Sequence, residues 1–104
     1  MREVVIAGVG QTPVGEHWEL SLRSLAHRAL SAARKDAGDL KPDALYIGNL
    51  LASVLSHQAN LGSLVAGNSG LEGIEAVTVE AGEASGAGAM RVGYLAVASG
   101  LIDT

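Results

Sequence analysis

Val77-Thr78-Val79-Glu80-Ala81-Gly82-Glu83-Ala84-Ser85-Gly86-Ala87-Gly88-Ala89-Met90 decides how this chain is read. A short β-branched run stops at a Gly-containing elbow. A long segment of small apolar residues follows it. A strand that feeds a tight turn into a helix presents whatever sits in the turn to the positive end of that helix. Turns of this build carry nucleophiles in several enzyme classes. Here the turn holds Glu83 and Ser85, and the chain contains no cysteine.

The segment after the turn, Ser85 to Ser99, has the composition of a helix without a polar face. Only Arg91, Tyr94 and Ser99 interrupt its apolar, Gly-rich surface. A helix that is apolar on every side is expected to be buried on every side. Gly86, Gly88 and Gly93 cost about 1 kcal/mol each relative to Ala, so close approach of a neighbour is expected to offset them. One small sheet cannot cover both sides of such a helix, and further protein is expected to do so.

Working outward, Ala76 to Glu80 reads as the strand before the turn. Ala44 to Gly48 reads as another strand, and the unbroken run Val4-Val5-Ile6-Ala7 puts a third over Glu3 to Val9. Runs without alternation suit a sheet covered on both faces. Ser21 is placed to cap a helix whose stripe is Leu22, Leu25, Ala26, Ala29, Leu30, Ala33 and Ala37. Gly38 fits its left-handed terminus, with Pro42 beyond. A further helix is expected over His57 to Gly67, with Leu61, Leu64 and Val65 inward. The segment Asn49 to Ser56 reads either way. The order β-α-β-α-β-α calls for parallel strands with right-handed crossovers and hence an α/β layered fold. At 104 residues the chain is one domain or part of one.

Composition narrows the functional classes. Hydrophobic residues make up 48% and charged residues 17%, enough apolar material for a core. Aromatics are only 3%, so that core is aliphatic and buries little area per side chain. Net charge is −4 with the basic residues scattered, which argues against nucleic-acid binding. Without cysteine there are no disulfides, thiolate metal sites or cysteine catalysis. No signal peptide or membrane span is read from the sequence, so a cytoplasmic location is expected.

Other candidates carry blander readings. Gly8-Val9-Gly10 after a strand lacks the third glycine of a dinucleotide fingerprint, since Pro13 stands there, and reads as a turn. His17, His27 and His57 share no metal-ligand spacing, so no metal is expected. Trp18 is expected to pack a loop. Ser85 lies three residues after Gly82 rather than two, off the spacing of a nucleophile elbow, and reads as a helix cap.

Several stretches together resemble the thiolase superfamily, in particular its acetyl-CoA acetyltransferase branch near the thiolase domain of sterol carrier protein x. These are Val4-Val5-Ile6-Ala7-Gly8-Val9-Gly10-Gln11-Thr12-Pro13-Val14-Gly15, Ala44-Leu45-Tyr46-Ile47-Gly48-Asn49, Gln58-Ala59-Asn60-Leu61-Gly62 and Val79-Glu80-Ala81-Gly82-Glu83-Ala84-Ser85-Gly86. The resemblance implies a thiolase-like fold, of which residues 1–104 form part of the N-terminal domain. It implies a CoA thioester as substrate and no separate cofactor. It also implies a homodimer or higher oligomer paired through the Ala76–Glu80 strand, and a complementary C-terminal half. Glu83 takes the position of the family's nucleophilic cysteine, with Ser85 and Gly86 as substrate-binding neighbours. The family's activating His and second Cys have no counterpart in these residues. Three functions remain open: an acyl-CoA-associated subunit completed by another chain, a non-catalytic scaffold module, or a thiol-independent carbon–carbon lyase acting on CoA thioesters once assembled.

Overall fold

The computed structural model describes residues 1–104. Helix α1 spans Leu22–Asp36, strand β1 Ala44–Gly48, helix α2 Ala52–Leu55, helix α3 Leu61–Asn68, strand β2 Glu75–Val79 and helix α4 Ser85–Ala98. The fold is α/β, built on a two-stranded parallel sheet in the register Ala44↔Glu75 to Gly48↔Val79.

The ends of α1 follow directly from the sequence. The Ser21 hydroxyl accepts the Ser24 N–H at 3.1 Å and caps the helix. At the other end Gly38 has φ +71°. Its N–H reaches the Lys35 carbonyl at 3.1 Å while the Asp39 N–H reaches the Arg34 carbonyl at 2.8 Å. That pair of bonds is a Schellman terminus, and the left-handed residue it requires is a glycine.

Neighbouring residues of β2 face opposite layers, as the strand period dictates. Thr78 points to α3, whose Gly62 N–H it accepts at 2.9 Å. Val79 points to α4, its Cγ1 lying 3.2 Å from where a Cβ on Gly88 would stand. Helices α3 and α4 therefore lie on opposite faces of the sheet, with α1 against α3. A Cβ on Gly62 would come within 2.9 Å of the Val77 backbone, so α3 approaches β2 closely because residue 62 has no side chain. Leu61, Val65, Ala66 and Leu71 make the core on this side, and Ala44, Ala89 and Ala98 on the other.

Three expectations need correction. Glu3 to Val9 forms no strand. A ladder needs backbone hydrogen bonds to a neighbouring strand, and residues 3–8 make none. His57 to Gly67 is not one helix, because His57 and Asn60 adopt positive φ (+50° and +53°) and break it. Helix α3 starts only at Leu61, while Asn49 to Ser56 contains the single turn α2, at whose start the Leu51 and Ala52 N–H groups donate to Asn49 Oδ1 at 3.0 and 2.7 Å. Trp18 packs no loop: it is 87% exposed, and its indole N–H donates to Glu16 Oε2 at 2.9 Å.

Helix α4 is the element on which the packing turns. Ser85, Ala89 and Ala98 are buried against the sheet, but Met90 (64% exposed) and Tyr94 (50%) face outward with Val92 and Leu95. These residues cover one side of an all-apolar helix, not every side. The shortfall is visible in the whole molecule. Its accessible surface is 6902 Å², whereas a compact monomer of its 10.5 kDa mass exposes about 5400 Å².

Tyr46 on β1 lies over Gly93 of α4, and its hydroxyl donates to Glu75 Oε1 at 2.5 Å. Burial, then the hydrogen bond to Glu75 and the charge of that carboxylate, push the phenol up to about 12. The unfolded chain releases this proton near the ordinary 10.0. The folded state therefore keeps the full contribution below that pH and loses it as pH rises toward 12. A titration followed by phenolate absorbance should show a late step that Tyr46→Phe removes. A wild-type titration without that step would contradict the contact.

Candidate active site at the head of helix α4

Both strands end at the same edge of the sheet, and α4 begins there. In open α/β sheets this carboxyl edge is where ligands bind. The turn that joins β2 to α4 is bonded from within. Gly82 has φ +57°, which a side chain would resist. The Ala84 N–H reaches the Ala81 carbonyl and the Ser85 N–H the Gly82 carbonyl, both at 3.1 Å.

Ser85 is 4% exposed. Its hydroxyl donates to the Gly82 carbonyl at 2.6 Å and accepts the Ala81 N–H at 2.9 Å. The hydroxyl thus staples the turn. It caps no N–H of α4, whose N-cap is Ala84 with no side-chain bond. Gly86 is exposed. Its N–H and that of Ala87 take no part in any turn bond, leaving two free donors at the positive end of the helix. Glu83 is exposed at the outside of the turn, and its carboxylate enters no ion pair. The structure places Glu83 and Gly86 at the same helix terminus, while the Ser85 hydroxyl is committed to the fold.

Gly48 and Asn49 are residues of this site that motif reading passes over. A Cβ on Gly48 would overlap the Ser85 carbonyl and stand 2.7 Å from the Gly86 nitrogen. The end of β1 thereby sets how far the head of α4 can descend. Asn49 holds the adjoining strand end through its N–H to the Val79 carbonyl at 3.3 Å. Gly48→Ala should therefore cost about 1–3 kcal/mol, the usual cost of overpacking, read as a lower urea midpoint. An unchanged midpoint would mean that the head of α4 is not wedged against β1.

A cleft of about 580 Å³ lies elsewhere, between the N-terminal segment, α1 and the C-terminal tail. None of the main clefts is lined by Glu83, so a substrate held there would need walls from other protein. The histidines do not contribute: His27 lies against Ser69 and Ser31 on the α1 side, and His17 against the Pro13 carbonyl. No three His, Asp or Glu side chains gather into a metal-binding cluster. No helix is long and apolar enough to cross a membrane.

No family model matches the sequence. Curated proteins do match, among them the acetyl-CoA acetyltransferases of Methanothermobacter thermautotrophicus and Methanocaldococcus jannaschii. Each is 44% identical over 107 aligned residues, which take in 99% of this chain and 27% of the relative. The chain thus spans about a quarter of the length of the curated relatives it matches. That similarity, sustained from one end of the sequence to the other and joined to an α/β fold with a strand–turn–helix at its centre, supports a relationship between this chain and the thiolase family.

Proposed function

We propose that the chain is the part of a thiolase-like, acyl-CoA-associated assembly that carries the head of α4, and that a complementary polypeptide completes it. The observation that carries this reading is the match of nearly the whole chain to about a quarter of two acetyl-CoA acetyltransferases. The surplus of exposed surface, roughly 1500 Å² above the compact value, supports it. A standard interface takes only about 800 Å² from each partner. In the assembly Glu83 occupies the place of the family's acyl-accepting cysteine, and the free Gly86 and Ala87 N–H groups face the acyl carbonyl. A carboxylate there does not form a stable acyl intermediate, since a mixed anhydride is far more reactive than a thioester. Two copies pair through the free edge of β2, which has β1 on one side only.

Co-expression tests this. The probe is the portion of the M. thermautotrophicus acetyltransferase that has no counterpart in this chain. A tagged copy of the 104 residues should bring it down in equal amount, and the pair should bind acetyl-CoA where the tagged chain alone binds none. A tagged chain that leaves the probe behind would contradict the reading.

A further inference from the structure

Helix α4 has no basic residue in its last turn, where a cation offsets the negative end of a helix. Two of its last carbonyls are met by the residue that follows. The Leu95 carbonyl accepts the Ser99 N–H and the Ala96 carbonyl accepts the Ser99 hydroxyl, both at 2.9 Å. The remaining two are met from the opposite end of the sequence. The Arg2 N–H donates to the Ala98 carbonyl at 2.9 Å. Its Nε–H donates to the Val97 carbonyl at 3.0 Å, beside the Gly100 N–H at 3.0 Å. Arg2 thus closes α4 as a basic residue of the last turn would, from 95 positions away.

The rest of the guanidinium reaches past the helix. One terminal nitrogen donates to Asp103 Oδ1 at 2.7 Å and the other to the Ile102 carbonyl at 2.5 Å. A planar fork serves several fixed acceptors at once, which a lysine ammonium does not.

Asp43, just before β1, holds the same tail. Its Oδ2 accepts the Asp103 and Thr104 N–H groups at 3.3 and 3.1 Å, and its own N–H donates to the Thr104 carbonyl at 2.8 Å. Residues 102–104 are therefore bonded to Arg2 and to Asp43. Arg2, Asp103 and Thr104 also line the 580 Å³ cleft.

The Arg2–Asp103 pair is 45% and 81% exposed, and such a pair contributes little by itself. Here one residue serves four acceptors, on Val97, Ala98, Ile102 and Asp103. Bonds that share a member strengthen one another and are lost together.

We infer that Arg2 is a clasp that makes the N-terminus, the end of α4 and the 101–104 tail one cooperative unit. The unit opens as a whole and carries part of the cleft wall with it. The clasp lies within one chain and needs no partner.

Residue-resolved amide exchange of the full chain tests it, in the wild type and in Arg2→Ala, which keeps the backbone N–H and removes only the fork. The Asp43, Ser99, Gly100 and Thr104 amides, all bonded in the structure, should exchange more slowly than unstructured peptide in the wild type. In Arg2→Ala the four should speed up by a common factor of about tenfold, the size expected for lost charge-assisted bonds. The Ser24 and Ser85 amides, at the heads of α1 and α4, should keep their rates. Arg2→Lys should recover only part of the protection. Acceleration at Ser99 and Gly100 with Asp43 and Thr104 unchanged would overturn the coupling. So would equal acceleration at Ser24, because the change would then be global. Unchanged rates in Arg2→Ala, full recovery in Arg2→Lys, or free exchange of Asp43 and Thr104 in the wild type would each overturn the clasp.

Discussion

Mixed with the acetyltransferase portion that the proposed assembly calls for, at a hundredfold excess over the dissociation constant, the chain is expected to melt roughly 10–20 °C higher than alone. Binding to the native state alone contributes about 2.7 kcal/mol at that ratio, and 1 kcal/mol moves the midpoint of a domain this size by about 4–8 °C. The effect is large because the lone chain begins weak. Only 10 of 104 residues are buried, and most of those are Ala, Gly, Ser or Val, which bury little area each. Its Cα radius of gyration, 13.5 Å, exceeds the about 12.9 Å typical of this length. Met90 and Tyr94 on one flank of α4 and Val92 and Leu95 on the other remain exposed, and covering them should supply much of the gain. A scanning fluorescence melt suffices to check this, and coincident curves with and without the partner would contradict it.

Glu83→Cys is expected to have the larger chemical effect. The suitable vehicle is a chimera in which these 104 residues replace the matching quarter of the M. thermautotrophicus acetyltransferase. Cysteine at the head of a helix loses its proton more readily than in free solution, and the Gly86 and Ala87 N–H groups are unbonded at that terminus. The thiolate attacks the acetyl-CoA carbonyl carbon, the bond from that carbon to the CoA sulfur breaks, and CoA leaves as its thiolate. Intact-mass measurement should show labelling rise from none in the chimera that keeps Glu83 to nearly one acetyl group per chain in the one carrying Glu83→Cys. An unlabelled cysteine variant would mean that the turn is not at an acyl site.

Much of the fold was legible because the signals are local. Ser21 and Gly38 mark the ends of α1 through bonds made within a few residues. The β-branched run before Gly82 and the small residues after it place β2, the turn and α4 to within one residue. Where reading failed, the cause was not local. The Val4–Ala7 run has the composition of a buried strand, but a strand also needs backbone bonds to a neighbour, and this segment makes none. The break at His57 to Asn60 was hidden because the left-handed residues are His and Asn, not Gly.

At the site, Glu83 and Gly86 were legible from the turn. The staple made by Ser85 was read as a cap because sequence gives the residue type but not which N–H it meets. Gly48 was invisible for a different reason. Its role is to be absent from the space of the Ser85 carbonyl, and only the packing of β1 on α4 reveals that.

Sedimentation of the purified chain, alone and with the acetyltransferase portion, addresses most directly whether other protein must cover α4. A self-associating or loosely structured species is expected for the chain alone, and a defined equimolar complex with the partner. A sharp, stably folded monomer that ignores the partner, with Met90 and Tyr94 open to solvent, would contradict it.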